Sequence, residues 1–347
     1  MKILIDPRCM FNYASFYIQG LYEFYGKKNV NFTAHEFKDV SYEYYRIMCY
    51  EIRDGQKIKR IVIDYQDFNT IVNDAYAWCD VYAKINVSKE DYNSGKYNKL
   101  LSITPGFGIK IYGLWEICWQ ALRNTFNIYK NGWNLYGTKS MYIREYLSNW
   151  HARAPLSTYL AEQHSSPNYI FFISTLWDNH VQSTPTNQLR AKFIRVCKSL
   201  KNNHFEGGLF AKPTNPDYKK YSDLIFEQRY KHIDYIKSTK KSAIVFNVPS
   251  VLDCHGWKLG EFLAMGKAII SMPLFNHLAF PLIDGTHIRF CQDEEDIEKA
   301  ILDIIYNEQK QKEMEQAAKK YFLDYATPLK VIEQIHHRAL SNYPNHV

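Results

Sequence analysis

At 347 residues, with 46% hydrophobic and 23% charged side chains, the chain is long enough for two ordinary domains and too apolar to be disordered. Mean hydropathy is −0.40, and no run approaches the roughly 18 apolar residues of a membrane span, so an integral helical membrane protein is excluded. The net charge of +7 favours acidic partners, but it is dispersed without a basic block, which argues against nucleic acid. The opening MKILID runs straight into a strand without a signal peptide's apolar core, so a cytoplasmic location is expected. Seven cysteines are scattered and never spaced as CxxC, and read as reduced, mostly buried thiols. Cys254-His255 lacks the second ligand pair of a zinc site, and no metal is expected.

In chain order, 2–6 is a first strand ending at Asp6, and 13–25 reads as a helix stopped by Gly26. Further strands are expected at 31–35, at 60–64 with Asp64 as its end, at 80–87 and at 100–103, with an amphipathic segment at 68–78. This alternation predicts a parallel, doubly wound sheet. Gly106 and Gly108 flank Phe107 in a turn that could cradle a phosphate. The third glycine of a dinucleotide fingerprint is missing, and a structural turn is the competing reading. Helices follow at 115–128 and 141–147, and 156–167 reads as the connection between two domains.

The second half opens with a strand at 169–174, leading into Thr175-Leu176-Trp177-Asp178. A helix at 186–200 and a strand at 205–211 follow. Lys212, at the end of that strand, is a phosphate candidate whose alternative is a solvated loop lysine. A helix is expected at 221–236. Beyond residue 273, the loop 274–284 is of the kind that closes over a nucleotide base. A short strand at 287–290 and helices at 293–306, 309–323 and 328–340 complete the chain.

The chain is organised around 242–273. A buried strand at 243–248 and a turn-rich link lead to a helix at 257–265, whose Leu259, Phe262 and Leu263 fall at i, i+3, i+4. Gly266 stops that helix, and 268–271 is the next strand. Asp253, His255, Lys258 and Glu261 gather where the link meets the helix, with Gly256 permitting close backbone approach. Such a strand-to-helix junction is where open α/β sheets bind ligands. A cation in the first helical turn opposes the helix dipole, and a bound phosphate would reverse that penalty at Lys258. Glu261, one turn on, can accept two hydrogen bonds from a ribose diol. The competing reading is an exposed helix start with an i, i+3 Lys–Glu pair.

Asp253-x7-Glu261 with Gly256 between them, followed by Ala264-Met265-Gly266-Lys267-Ala268-Ile269-Ile270, resembles the donor-site signature of retaining family 4 glycosyltransferases of the GT-B fold. The resemblance runs from Tyr230 to about Lys320. It implies two Rossmann-like, doubly wound α/β domains facing across a cleft. Residues 1–166 would hold the acceptor and 167–325 the nucleotide-sugar, and 326–347 would be a final helix returning to the first domain. It implies further that Asp253 contacts the transferred sugar and that Glu261 binds the ribose. This sequence has Asp253 where the family has Glu, His255 where it has Phe, and Ser174-Thr175 where it has Gly-Arg. The family's cleft histidine has no match in 104–108.

The expected catalytic set is Asp253 and Lys258, with Asp6 as candidate base and Asp64, His35 and His151 behind it. The expected donor-binding set is Glu261, Gly256, His255, Lys258, Lys212, Ser174, Thr175, Gly106 and Gly108. The implied activity is retaining, metal-independent hexosyl transfer to a glycan or lipid-linked acceptor in surface-polysaccharide assembly. No cofactor is implied beyond the nucleotide-diphosphate sugar itself, and the positive charge suggests peripheral contact with the inner face of an anionic membrane. Two alternatives stay open. One is a nucleotide-sugar epimerase of the same fold, for which paired acid and base groups cannot be assigned. The other is a non-catalytic carbohydrate-binding module.

Overall fold

The computed structural model describes residues 1–40, 47–133, 139–177, 185–249 and 251–341. Asp178 lies outside the described residues, as does Ser250 in the link before the 257–265 helix. The chain divides into two compact α/β units. The first comprises Met1–Leu156, His277–Ala279 and the chain from Tyr325 on, and the second comprises Ser157–Asn276 and Phe280–Asp324.

Unit 1 is built on β1 (Lys2–Ile5), β2 (Val30–Phe32), β3 (Ile47–Asp54), β4 (Lys57–Asp64), β5 (Val81–Lys84), the two-residue β6 (Val87–Ser88) and β7 (Leu100–Ser102). Its six-stranded sheet has the order β2-β1-β3-β4-β5-β7. The expected parallel sheet is modified in one place. β3 runs antiparallel to both β1 and β4, while β1/β2, β4/β5 and β5/β7 are parallel. The reason is local: Asp54-Gly55 reverses the chain, with Gly55 at φ 59°, so β4 folds back on β3 as a hairpin. A core of Phe37, Val40, Ile47, Cys49, Val62 and Tyr82 packs on this sheet.

The helix Phe11–Tyr25 is joined in unit 1 by the last helix, Pro328–Leu340. The two meet at Gly20, where an added Cβ would lie 2.2 Å from the Pro328 carbonyl oxygen. Tyr25 Oη and His336 Nδ1 share a hydrogen bond of 2.7 Å at the same contact.

Unit 2 holds β8 (Tyr169–Thr175), β9 (His204–Phe210), β10 (Ile244–Asn247), β11 (Ala268–Ser271) and β13 (Arg289–Phe290), and the two-residue β12 (Asn276–His277) has one residue in each unit. The pairings β8/β9, β10/β11 and β11/β13 are all parallel. Ala243 N–H donates to Tyr169 O at 2.7 Å and Phe171 N–H to Ser242 Oγ at 2.8 Å, which ties β10 to β8. Phe172, Phe193 and Phe246 centre the core, the last two stacked at 4.6 Å. The helix expected at 221–236 is shorter and later, His232–Lys241. Ile225 instead bridges Leu209 in extended form, because its side chain is needed on the sheet core.

Candidate functional site

The site lies at the C-terminal ends of the parallel strands of unit 2. The helix Trp257–Met265 follows β10 and buries Leu259, Phe262 and Leu263 against it. It ends in a paired cap. Gly266, at φ 64°, donates to Leu263 O, and Lys267 N–H donates to Phe262 O. Its start differs, because Gly256 occupies the N-cap and no side chain caps the helix. An uncapped N-terminus leaves backbone donors directed at an incoming anion.

Lys258 stands in this first turn. Its stem is partly open, and its ammonium group turns inward to donate to Ile173 O at 2.6 Å, 5.1 Å from the Phe172 ring centre. Its pKa is lowered to about 7, by burial first and by the Arg190 charge second, with the Glu261 charge opposing both. Arg190 comes from the helix Thr186–Ser199 and is 6% exposed. It donates from Nη1 to Thr175 O at 2.9 Å, 5.9 Å from the Trp177 ring. Burial lowers its pKa to about 9, which leaves it cationic at neutral pH. Among the described residues, neither cation is in ion-pair contact with a carboxylate. Two neighbouring buried cations of this kind are stable chiefly in the presence of an anion.

Asn187 fixes the loop beneath them. Its Oδ1 accepts from Trp177 N–H at 3.0 Å and its Nδ2 donates to Trp177 O at 2.8 Å. Ser174 and Thr175 end β8, and the Thr175 carbonyl is what positions Arg190. Lys212 is exposed in a turn two residues past β9, which Asn215 ties to Leu176 O at 3.2 Å. It therefore stands on the same edge of the sheet.

Glu261 lies one turn beyond Lys258 and is 5% exposed. Tyr159 Oη and Tyr235 Oη donate to its two oxygens at 3.5 and 3.4 Å. Both contacts are long for hydroxyl–carboxylate bonds, so the acceptor strength of the carboxylate is little used by them. Tyr159 is held in turn by His232 Nε2 at 2.6 Å. Burial, together with the Glu261 charge, pushes the Tyr235 phenol well above its usual range.

Asp253 carries backbone strain. It has φ 57° and follows Leu252 at φ 56°, two consecutive non-glycine residues in the left-handed region. Its carbonyl accepts from Asn276 Nδ2 at 3.2 Å. Its Oδ1 is buried, with no hydrogen-bond partner among the described residues. His255 is buried at 4% exposure beside Cys254 and Gly256, on the link leading into the helix.

The remaining expected residues belong to unit 1. Asp6 is fully buried and bound by Arg8 through Nη2 at 2.7 Å and Nε at 3.0 Å. Arg8 in turn lies 3.3 Å from the centre of the Trp133 ring and donates to Phe37 O and Val40 O. Asp64 is equally buried, with Lys84 Nζ at 2.7 Å and Tyr82 Oη at 2.6 Å. Both aspartates thus serve as structural ion pairs. Gly106 and Gly108 sit in a buried stretch without regular structure rather than in the expected turn, and a Cβ at Gly106 would lie 2.8 Å from Phe16 Cδ1. That is the geometry of a packing glycine. His35 and His151 are exposed, the first opening a 3-10 turn and the second in the last turn of the helix Lys139–Ala152.

Arg190, Asn187, Tyr159 and Tyr235 escape sequence reasoning. Arg190 and Asn187 share one helical face at i, i+3, but nothing in the sequence links them to a strand end 15 and 10 residues earlier.

No protein-family model and no curated protein matches the sequence. Several solved structures are similar to the chain. One is the C-terminal domain of a glycosyl transferase group 1 family protein (LpcC) from Francisella tularensis: 14% identity, 45% of this chain and 83% of that one, TM-score 0.34. Another is a TarM mutant from S. aureus in complex with fondaparinux, α-GlcNAc-glycerol and UDP: 11% identity, 77% of this chain and 45% of that one, TM-score 0.45. A third is a Listeria monocytogenes protein named as a UDP-N-acetylglucosamine 2-epimerase: 12% identity, 83% of this chain and 76% of that one, TM-score 0.42. The chain thus spans less than half of the TarM chain.

Among the described residues, no group of three or more His, Cys, Asp or Glu could hold a metal ion, and no helix is long and apolar enough to cross a membrane.

Proposed function

We infer that the protein transfers a glycosyl group from a nucleoside-diphosphate sugar to a glycan acceptor. The observation that carries this reading is a pair of cations at the end of β8, Lys258 in the first turn of an uncapped helix and Arg190 close enough to depress its pKa, with no carboxylate in ion-pair contact with either among the described residues. A diphosphate fits this place in charge and size. It would accept hydrogen bonds from both cations and from the first helical N–H groups, and it would restore the charge that burial strips from Lys258.

The rest of the site follows from that anchor. Glu261, one helical turn beyond Lys258, would accept from the ribose hydroxyls. Asp253 Oδ1, buried and without a partner among the described residues, would meet a hydroxyl of the transferred sugar. As the glycosidic bond to the donor breaks, negative charge grows on the leaving diphosphate. Lys258 and Arg190 are already in place to meet it, so stabilisation needs little reorganisation. In this reading the two side chains supply the positive charge that a divalent ion supplies elsewhere. Retention of anomeric configuration is proposed on the sequence resemblance, and NMR of the product anomer tests it.

The deciding experiment is thermal denaturation with UDP, GDP, ADP and CMP in the absence of divalent ions. One nucleotide at about 100 times its Kd should stabilise the fold by about 2.7 kcal/mol. Lys258→Met and Arg190→Met should each abolish most of the shift. An unchanged shift in both variants, or no shift with any nucleotide, would sink the reading.

A further inference from the structure

The helix Leu114–Lys130 of unit 1 is apolar on two sides. Ile117, Ala121 and Ile128 face inward and are buried. Trp115, Trp119, Leu122 and Phe126 recur at i, i+4, i+7 and i+11, which keeps them together on the opposite face. They are 87%, 66%, 58% and 66% exposed. Scattered apolar side chains are normal on a soluble surface, but a contiguous row of four large ones marks an interaction surface.

Charge decides what the row meets. Residues 110–153 hold six lysines and arginines against two glutamates, so this stretch carries +4 of the chain's +7. Both acids are engaged elsewhere in the unit. Glu116 pairs with Lys27, and Glu145 Oε1 accepts from Asn12 N–H at 2.9 Å. Arg123 and Lys130 lie beside the apolar row and are exposed. Two copies of the chain meeting through this face would set like charge against like charge. A sugar-binding platform, for its part, would not interpose Leu122 between its aromatic rings.

We propose that this face docks on an anionic bilayer. The tryptophans, Leu122 and Phe126 enter the headgroup–acyl boundary, and Arg123 and Lys130 meet lipid phosphates. This rests on the helix face alone, so its failure would leave the nucleotide-sugar reading untouched.

Flotation of the full chain with vesicles tests it, using equimolar phosphatidylcholine and phosphatidylglycerol against phosphatidylcholine alone. The protein should float with the anionic vesicles at low salt and far less with the neutral ones. Trp119→Ser with Phe126→Ser should weaken binding at least about tenfold. Arg123→Glu and Lys130→Glu should each weaken it about fivefold or more. All four side chains are exposed, so an unchanged Tm will show that the variants fold. The proposal falls if anionic vesicles are not bound at low salt, or if binding survives the serine substitutions. It falls equally if the chain is a dimer in solution that those substitutions split, since the face would then belong to a second copy.

Discussion

Lys258 and Arg190 reach the end of one strand from two different helices: Lys258 Nζ donates to Ile173 O at 2.6 Å, and Arg190 Nη1 donates to Thr175 O at 2.9 Å. The carbonyls hold the two cations in place without neutralising them. With its pKa near 7, Lys258 is largely neutral in the unliganded protein above that pH. A diphosphate would recharge it. At about pH 8, nucleotide binding should therefore take up close to one proton per site, a linkage of the ordinary kind. Calorimetry in two buffers of different ionisation enthalpy measures this. Lys258→Met should abolish the uptake and weaken binding about 10- to 100-fold, and uptake unchanged in that variant would mean another group titrates.

The same residue shapes the stability of the unliganded protein. Its folded pKa, about 7, lies below its ordinary value of 10.5, so between those two the unfolded chain binds more protons than the folded one. Stability from this group therefore rises with pH across that window, and is flat below it, where both states are charged. Urea midpoints measured from pH 7 upward should climb less in Lys258→Met than in the parent. Identical slopes would show that Lys258 titrates normally.

Glu261 is tested through the sugar it is proposed to hold. Glu261→Gln keeps the volume and the contacts from Tyr159 and Tyr235, but loses the charge that makes a ribose diol a strong partner. A hydrogen bond to a charged group contributes about 1.5–3 kcal/mol, so nucleotide affinity should fall about 10- to 100-fold. The parent should also discriminate against a dideoxynucleotide diphosphate, and the variant should not. Equal discrimination in both would remove Glu261 from the ribose.

Gly20 offers a purely structural prediction. Gly20→Ala would place a methyl group 2.2 Å from the Pro328 carbonyl oxygen and 2.7 Å from an Ile332 side-chain carbon. Backbone cannot yield as a side-chain tip can, so destabilisation of at least about 3 kcal/mol is expected. Limited proteolysis should then release the 328–340 helix, while nucleotide affinity per folded molecule stays as in the parent. A variant with the parent's Tm would contradict the packing.

The legible parts of the sequence are those where local chemistry decides. The helix Trp257–Met265 has its apolar residues at i, i+3, i+4 and a glycine at its stop, and it forms where that pattern places it. The hairpin β3–β4 carried the signal Asp54-Gly55, but β3 is buried on both faces over most of its length and lacks the alternation that usually marks a strand. The roles of Asp6 and Asp64 were illegible for another reason. A strand-end aspartate looks alike whether it faces a ligand or a buried cation, and only the fold brings Arg8 and Lys84 onto these two. Arg190 is the reverse case, a cation whose partner carbonyl becomes its neighbour only when β8 and the Thr186–Ser199 helix pack.

Asp253 joins strain to chemistry, and one substitution separates them. Left-handed backbone costs a non-glycine residue about 1–2 kcal/mol, and Leu252 and Asp253 both adopt it. Asp253→Gly removes the cost at one position and should raise stability by about 1 kcal/mol, read as a higher urea midpoint. It also removes Oδ1, so turnover should fall at least about 100-fold while nucleotide affinity, proposed to rest on Lys258, Arg190 and Glu261, changes little. Asp253→Asn keeps the strain and the shape but loses the charge, and should lose turnover without gaining stability. If the glycine variant is both more stable and fully active, the strain has a structural origin and Asp253 does not touch the sugar. If it is less stable, the side chain holds the link before the Trp257–Met265 helix, and the conformation is part of the fold rather than of the site.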